Sequence, residues 1–458
     1  MIRPTLGLES SSWEIVKSMI EETFAAKDLD EACSFIESIA AVNNWMPRRQ
    51  DELLGLRMYC ETLNKDDQLQ LLNLIKYIAT LALKSEKLFT KKGIRILKSL
   101  VSLLRKNAAG LLYYSSEQIG WVLAHAFFWW IPVANSIQDM PSSINFVNWF
   151  SGKHQVYQDK IEKLMCYFKE YEREDLLVQA GKAKHRKVSF EKLTLAKDKY
   201  KKMDDKFFGN WAKKLSKATV KSLGFVEDED DALITDFANK YMGGGVMNRG
   251  YVQEEILFLD YPELIMSTFM CAKMQDFEAI CITGVRKIGP YDDFNDLDKL
   301  SRIERTFIAI DALHHGSFQS QISQFESGPS LRELKKAIIG FRGDSKEEEV
   351  KSSHKKVSTG RWGCGAFNGN AELKFLLQWI AASINNREMV FYSFDHKDWS
   401  KLEQIALIYT DQSVSDIYND LIQFRKHLHK LKNVDKVYIS KNKMQYLLSD
   451  YLFEKYRI

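Results

Sequence analysis

The spacing of hydrophobic residues changes near residue 179. From Trp13 to about Lys169, apolar residues recur every three or four positions, which is typical of amphipathic helices. Residues 119–137 are the most apolar stretch, but their uninterrupted part is shorter than the ~20 residues that a membrane helix needs, so they predict a buried core helix. Glycine is scarce in this half, and we expect it to act as scaffold rather than to carry chemistry.

After the polar stretch at residues 179–187, short β-rich runs alternate with helical patterns, as in α/β proteins. We therefore predict a helical domain at residues 1–179 and an α/β domain at residues 180–458. Residues 342–359 are charged and serine-rich without a hydrophobic period, and they predict a mobile surface loop. The predicted strands are residues 188–190, 232–237, 279–283, 307–310 and 389–394, and the predicted helices between them are 331–339 and 371–384.

Composition and charge argue against nucleic-acid binding, a metal site and secretion. The net charge of +4 is too small over 458 residues to indicate nucleic-acid binding. The six cysteines are scattered, with no CxxC pair and no histidine at zinc-ligand spacing, so we expect reduced thiols and no metal site. No apolar core of signal-peptide length stands near the N-terminus, so we expect a protein that is not secreted.

Two glutamates follow a run of three glycines within one short loop. Gly243, Gly244 and Gly245 come after a predicted strand, and residues without a Cβ let backbone N–H groups approach phosphate oxygens closely. Glu254 and Glu255 stand where a helix begins, a position in which acidic residues also commonly complement the helix dipole. Consecutive helical side chains point roughly 100° apart, so we expect two different roles, one holding ribose hydroxyls and one acting as general acid on a glycosidic oxygen.

A second glycine-rich segment, residues 359–370, precedes the predicted helix at 371–384. Its GxGxxxG spacing departs from the GxGxxG dinucleotide fingerprint, and the polar residues before it do not predict the buried strand of a Rossmann unit. Two glycine-rich loops of the kind that bind phosphate, at 243–245 and 359–370, would suit a pyrophosphate held between them. The aromatic residues expected to complete a nucleotide pocket are Phe367, Tyr291, Phe294 and Phe394.

These segments closely resemble the signature blocks of poly(ADP-ribose) glycohydrolases. The first block runs from Asp236 and Asn239 through the glycine triplet to Gln253 and the glutamate pair, and the second covers residues 359–367. The resemblance implies a macrodomain, a mixed sheet flanked by helices that binds ADP-ribose, preceded by an all-helical accessory domain. The helical half carries less that matches.

The resemblance also implies a role for each matched residue. Glu255 would be the general acid and base, Glu254 and Asn239 would position the ribose, and Asp236 would support the site. The expected diphosphate contacts are Gly243, Gly244, Gly245, Val246, Gly363, Gly365, Ala366 and Phe367. The expected contacts with adenine and the ribose beside it are Glu227, Gln253, Phe394 and either Tyr291 or Phe294.

The implied substrate is poly(ADP-ribose) carried on poly(ADP-ribosyl)ated proteins, with ADP-ribose as product and no cofactor or metal. We expect a monomer in the nucleus or cytoplasm that reverses ADP-ribosylation in the DNA damage response, without sequence-specific nucleic-acid or membrane binding. Two other classes compete with this interpretation. A non-catalytic ADP-ribose reader needs the glycine loops but not both glutamates, and a Rossmann oxidoreductase is disfavoured by the glycine spacing and the missing strand.

Overall fold

The computed structural model describes residues 10–42, 53–84, 110–128, 144–289, 304–343, 354–394, 396–434 and 447–458. The chain divides into two compact units. The first comprises Met1–Phe190, Tyr241–Lys273 and Ile282–Arg305, and the second comprises Glu191–Lys240, Met274–Cys281 and Thr306–Ile458. The segment that carries Glu254 and Glu255 therefore belongs to the same unit as the N-terminal helices.

Among the described residues, four helices precede the first strand, and strands and helices are interspersed after it. In chain order the helices are α1 (Ser10–Glu22), α2 (Leu29–Val42), α3 (Leu54–Glu61), α4 (Lys65–Lys84), α5 (Ser116–Phe128), α6 (Val147–Ser151), α7 (Gln155–Gln179), α8 (Lys197–Lys202), α9 (Asp205–Gly209), α10 (Gln253–Asp260), α11 (Met266–Met270), α12 (Phe318–Ser323), α13 (Ser327–Arg342), α14 (Ala371–Ile384), α15 (His396–Ile408), α16 (Val414–Val434) and α17 (Leu447–Tyr456). The strands are β1 (Gly110–Ser115), β2 (Lys187–Thr194), β3 (Ala218–Lys221), β4 (Ala232–Asp236), β5 (Glu278–Arg286), β6 (Glu304–Ala309), β7 (Lys356–Gly360) and β8 (Glu388–Tyr392).

Helices α4 and α5 form the centre of the first unit. The Asn64 side chain accepts the N–H of Asp67 at 2.9 Å and so caps the start of α4. Every residue of α5 from Ile119 to Phe128 is buried, which confirms the predicted core helix over its described part, while residues 129–137 lie outside the described residues. Within the described ranges, no helix is both long and apolar enough to cross a bilayer.

A parallel sheet forms the centre of the second unit. Strands β6, β4, β7, β8 and β3 lie side by side in that order. β4 pairs in parallel with β6 and β7, and β8 pairs in parallel with β7 and β3. Helices α13 and α14, which the sequence predicted, pack against each other and contribute many of the core residues, including Leu334, Phe341, Phe375 and Trp379. The carboxyl ends of these strands all lie at one edge of the sheet, where α/β proteins bind ligands.

One prediction is wrong: residues 356–360 form strand β7 and not part of a surface loop. The hydrophobic pattern missed the strand because Ser358 and Thr359 are polar, yet both are fully buried. Their hydroxyl groups have hydrogen-bond partners, since Ser358 donates to the Val226 carbonyl at 2.6 Å and Thr359 donates to Gln378 Oε1 at 2.5 Å. A satisfied hydroxyl can replace a hydrophobic side chain inside a sheet. Residues 344–353 of the predicted loop lie outside the described residues.

The other predicted strands are confirmed as β2, β4, β5, β6 and β8, each within a few residues of the expected bounds. Strands β1 and β3 were also not predicted. β1 lies in the half of the chain whose hydrophobic spacing predicted only helices. β3 is only 4 residues long, and a strand this short carries too few alternating positions to stand out in a sequence.

We predict that His125 makes the protein sensitive to acid. Burial lowers the pKa of this side chain from 6.5 to about 3, so the unfolded chain binds a proton between these values that the folded chain does not. The free energy of unfolding should therefore fall as the pH falls from about 6.5 towards 3, by on the order of 1 kcal/mol per pH unit. Urea unfolding of His125→Gln at pH 7, 5.5 and 4 should give a shallower decline than the wild type. His427→Gln, at an exposed histidine whose ring packs on Tyr451, is the control and should leave the decline unchanged.

Candidate active site

The glycine triplet forms a tight turn in the first unit. The N–H of Val246 donates to the Gly243 carbonyl at 2.8 Å. Gly243 and Gly244 have φ angles of +82° and +49°, a region that residues with a Cβ rarely adopt. A Cβ on Gly244 would lie 2.7 Å from a carboxylate oxygen of Glu254 and 2.7 Å from one of Glu255. Both the backbone conformation and this close approach therefore require glycine.

Glu254 and Glu255 accept hydrogen bonds from the backbone around that turn. The Gly243 N–H donates to Glu254 Oε1 at 2.7 Å, and the Gly245 N–H donates to Glu255 Oε1 at 2.8 Å. The other oxygen of Glu255 accepts the N–H of Val252 at 2.9 Å, directly before α10. Both side chains are buried, with 3% and 5% of their surface exposed. Backbone donors offset the cost of burying these carboxylates.

The two carboxylates face the same turn but have different partners. Glu255 accepts one N–H on each oxygen, from the triplet and from the residue that precedes α10. Glu254 accepts the N–H of Gly243 on its Oε1. The two carboxylates thus accept from different backbone N–H groups, and one oxygen of each lies close to Gly244. Their separate roles stay a prediction.

Two residues that the sequence analysis did not single out hold the loop after the triplet. Trp149 in α6 donates its indole N–H to the Val246 carbonyl at 2.9 Å. Lys160 in α7 donates to the same carbonyl and to that of Asn248, both at 2.7 Å. No sequence motif marks these residues, because helical periodicity places a tryptophan or lysine without revealing its partner. The first unit therefore joins the glutamate loop to helices from the N-terminal half.

In the second unit, Asp236 and Asn239 lie at the carboxyl end of β4. Asp236 is the last residue of this strand, is 1% exposed, and pairs with Ala309 of β6. Its carbonyl accepts the N–H of Ile310 at 3.3 Å. Asn239 follows three residues later and is half-buried. Asp236 and Asn239 thus lie at the edge of the sheet where α/β proteins bind ligands, and the chain enters the first unit directly after them, at Tyr241.

The second glycine segment connects β7 to α14. Gly363 has a φ of +73°, and a Cβ on it would lie 2.5 Å from the Ala312 methyl group. Gly365 differs, because it is exposed and a Cβ on it would meet nothing within 4 Å. Within the part of the chain that the structure describes, the N–H groups of Gly365 and Ala366 have no hydrogen-bond partner. Open N–H groups in a turn are suited to anionic oxygens.

A side chain and a backbone bond hold Phe367 at the end of this loop. The His314 ring lies edge-on to the Phe367 ring with centroids 5.4 Å apart. The N–H of His315 donates to the Phe367 carbonyl at 2.8 Å. Asn370 then caps α14 by accepting the N–H of Leu373 at 2.8 Å. The loop is thus anchored at its end while Gly365 and Ala366 stay open.

Phe394 and Glu227 lie in the same unit. Phe394 follows β8 with a φ of +56°, and the residue is 45% exposed. A Cβ on Gly360 would lie 3.2 Å from that ring, so the aromatic side chain covers the end of β7. Glu227 is buried in a short 3-10 turn whose Val226 carbonyl is bound to β7 through Ser358. Tyr291 and Phe294 lie outside the described residues.

The predicted site residues therefore fall into two groups. The first unit contains Gly243, Gly244, Gly245, Val246, Gln253, Glu254 and Glu255, and the second contains Glu227, Asp236, Asn239, Gly363, Gly365, Ala366, Phe367 and Phe394. In the described residues, no cluster of three or more histidine, cysteine, aspartate or glutamate side chains is arranged to hold a metal ion.

Two family models match the chain. Residues 206–401 match the model described as poly(ADP-ribose) glycohydrolase, macrodomain fold, and residues 63–192 match the model of its helical domain. Poly(ADP-ribose) glycohydrolase 1 of Arabidopsis thaliana is 30% identical over 426 residues, which cover 75% of this chain and 74% of that protein. The chain belongs to the poly(ADP-ribose) glycohydrolase family.

Other relatives carry the same family name. Poly(ADP-ribose) glycohydrolase 1 of Caenorhabditis elegans is 37% identical over 219 residues, covering 42% of this chain and 28% of that protein. A crystal structure of a mutant poly(ADP-ribose) glycohydrolase from Deinococcus radiodurans with ADP-ribose is 14% identical, with a TM-score of 0.32, over 46% of this chain and 91% of that chain. The family assignment rests on the sequence relatives.

The family models confirm the predicted fold class, a helical domain followed by a macrodomain. The glutamate loop and the residues that bind it fall under different models. The loop that bears Glu255 belongs to the macrodomain match, whereas Trp149 and Lys160 belong to the helical-domain match. Hydrogen bonds in the first unit connect these two parts of the sequence.

We predict that Gly365→Val weakens ADP-ribose binding without unfolding the protein. The open surroundings and ordinary backbone of Gly365 accept a side chain, but that side chain occupies the space in front of the loop N–H groups. Losing one or two N–H bonds to a charged oxygen costs about 1.5–3 kcal/mol each, about tenfold or more in affinity. Calorimetry with ADP-ribose measures the loss. Gly328→Val, at an equally open exposed glycine in α13, is the matched control; equal affinities for both variants would leave this loop a simple turn.

We predict that a chain starting at Gln179 expresses poorly or aggregates. Leu264, Ile265 and Phe269 are buried in the first unit, where the segment at 262–270 packs against α5. Deleting the N-terminal helices would expose these residues to water and remove the bonds from Trp149 and Lys160. Size-exclusion chromatography and an ADP-ribose release assay compare the fragment with the full chain. A soluble, monomeric and fully active fragment would contradict the dependence of the glutamate loop on these helices.

Proposed function

We propose that this chain hydrolyses the ribose–ribose O-glycosidic bonds of poly(ADP-ribose) and releases ADP-ribose, with Glu255 as general acid and base. The observation that carries the proposal is the glutamate pair on the glycine turn of a poly(ADP-ribose) glycohydrolase family member. A non-catalytic reader of ADP-ribose would bind the same ligand without releasing it from polymer, so product analysis separates the two functions.

In the proposed reaction, protonated Glu255 gives its proton to the leaving ribose oxygen as the glycosidic bond breaks. The remaining sugar carries an oxocarbenium-like charge, which the nearby diphosphate stabilises. The Glu255 carboxylate then takes a proton from the attacking water and returns to its starting state.

The hydrogen bonds of Glu255 suit both halves of this cycle. Its two N–H donors stabilise the carboxylate that acts as base, and each oxygen keeps a second lone pair for a proton or water.

The other residues take supporting roles in this proposal. Glu254 and Asn239 bind ribose hydroxyls, and Asp236 supports the strand end from which Asn239 follows. The open N–H groups of Gly365 and Ala366 support a role of the second loop in diphosphate binding, together with Gly243, Gly244, Gly245, Val246, Gly363 and Phe367. The exposed ring of Phe394 is available to cover a ribose, and Glu227 and Gln253 are assigned to adenine with Tyr291 or Phe294.

The finer predictions from the sequence are kept as proposals. Residues 1–179 would form the helical accessory domain and residues 180–458 the catalytic macrodomain; the helical-domain match at 63–192 and the macrodomain match at 206–401 support two domains in this order. Poly(ADP-ribosyl)ated proteins would carry the polymer to a monomeric enzyme in the nucleus or cytoplasm.

We predict that Glu255→Gln lowers kcat on poly(ADP-ribose) by about 100- to 10,000-fold, the usual cost of losing a general acid. Glutamine keeps the shape but cannot transfer the proton, so ADP-ribose affinity should change little. Its amide NH₂ replaces one acceptor oxygen and meets the N–H of Gly245 or Val252, so thermal unfolding is measured alongside. Asp66→Asn, an exposed first-turn acid of α4, controls for the loss of a helix-dipole charge. Turnover at the wild-type rate in Glu255→Gln would exclude this residue as the acid.

A further inference from the structure

Lys160 is a fully buried cation with no role in the expected chemistry. It lies in α7, and its ammonium group donates to the carbonyl oxygens of Val246 and Asn248 at 2.7 Å each. It also lies 5.6 Å from the centre of the Trp149 ring, within range of a cation–π interaction. Burying an ammonium group costs free energy unless such partners compensate for the lost water. A lysine whose only task was to fill space could be replaced by methionine at no such cost.

The two carbonyl groups belong to the loop that presents the backbone to Glu255. Val246 follows Gly245, whose N–H donates to Glu255 Oε1 at 2.8 Å. The Gly245 carbonyl accepts the N–H groups of Asn248 and Gly250 at 2.9 and 3.1 Å. Lys160 therefore binds the two carbonyls on either side of Met247, within the same short turn that fixes one oxygen of Glu255.

Lys160 and Glu255 also interact through their charges. Burial lowers the pKa of Lys160 from 10.5 to about 8, and the negative charge of Glu255 opposes that shift. In the described residues, α6 and the loop present the Trp149 indole and backbone carbonyls to the ammonium group, and α10 presents the Glu255 charge. The lysine thus holds the loop through two hydrogen bonds and also interacts electrostatically with Glu255.

We propose that Lys160 is a positioning residue for Glu255: its charged ammonium group anchors, through the Val246 and Asn248 carbonyls, the turn whose Gly245 N–H holds the carboxyl group. The inference rests on the proposed role of Glu255 as acid and base. It gives the helical accessory segment a defined part in the reaction, because the residue that orients the macrodomain glutamate comes from α7.

The test compares Lys160→Met, Lys160→Arg and Trp149→Phe in the full chain. Steady-state kinetics on poly(ADP-ribose) from pH 6 to 10 give kcat and KM, and calorimetry gives the affinity for ADP-ribose. Lys160→Met removes the charge and both bonds, and it should lower kcat by about 10- to 100-fold with little change in affinity, as expected when a catalytic group is displaced. Trp149→Phe removes one bond to the same Val246 carbonyl but no charge, so its loss of kcat should be smaller.

The pH profile distinguishes positioning by charge from a structural role. Wild-type kcat should decline as the pH rises through about 8, where Lys160 loses its charge, because a neutral amine holds the Val246 and Asn248 carbonyls less strongly than an ammonium group. This decline should be absent in Lys160→Met, which has no charge to lose, and in Lys160→Arg, whose guanidinium keeps its charge up to pH 10, while Trp149→Phe keeps it. Because the wild-type decline is measured without a mutation, the proposal stays testable if a variant fails to fold.

Two controls separate this inference from the proposed function. A wild type that releases no ADP-ribose from polymer, or an active Glu255→Gln, refutes the proposed function itself. With both as expected, a Lys160→Met enzyme with wild-type kcat refutes the positioning role. A reduced kcat with a wild-type pH profile refutes it too, because that result leaves Lys160 as a structural anchor alone.

Discussion

The site depends on backbone N–H groups that bind two buried carboxylates. Glu254 and Glu255 lie in the first turn of a helix and are nearly removed from water, which would be costly without donors. The glycine turn provides those donors, and it can approach because Gly244 has no Cβ to collide with the carboxylate oxygens. The glycines and glutamates thus form one structural feature, since neither keeps its position without the other.

This constraint extends into the helical half of the chain. The turn can present its N–H groups to Glu255 only if the following loop is held, and Trp149 and Lys160 bind that loop through its carbonyl groups. The compact units reflect this, because residues 241–273 group with the N-terminal helices. The helical half therefore contributes hydrogen bonds to the loop beside Glu255, in keeping with the expectation that it acts as scaffold.

In the second unit, polar groups lie at the carboxyl ends of the strands of a parallel sheet. Asp236 ends β4, and the segment with Gly365 and Ala366 follows β7. β7 itself is built from buried hydroxyl residues with satisfied hydrogen bonds, so the glycine segment does follow a strand. The missing strand is therefore no argument against a Rossmann unit. The glycine spacing and the family matches still favour the macrodomain.

The sequence by itself determined the fold class, the family and the short segments that carry candidate chemistry, because glycine runs, adjacent glutamates and hydrophobic periods are local signals. It placed helix α10 with Glu254 and Glu255 in its first turn, and it placed β4 before Asp236. It could not distinguish Gly244, whose missing Cβ admits two carboxylates, from Gly365, which faces open space. Nor could it show that Ser358 and Thr359 belong to a buried strand, or that Lys160 binds the turn beside Glu255 from 86 residues away along the chain. Those properties depend on which atoms meet across long stretches of chain, and only tertiary packing decides that.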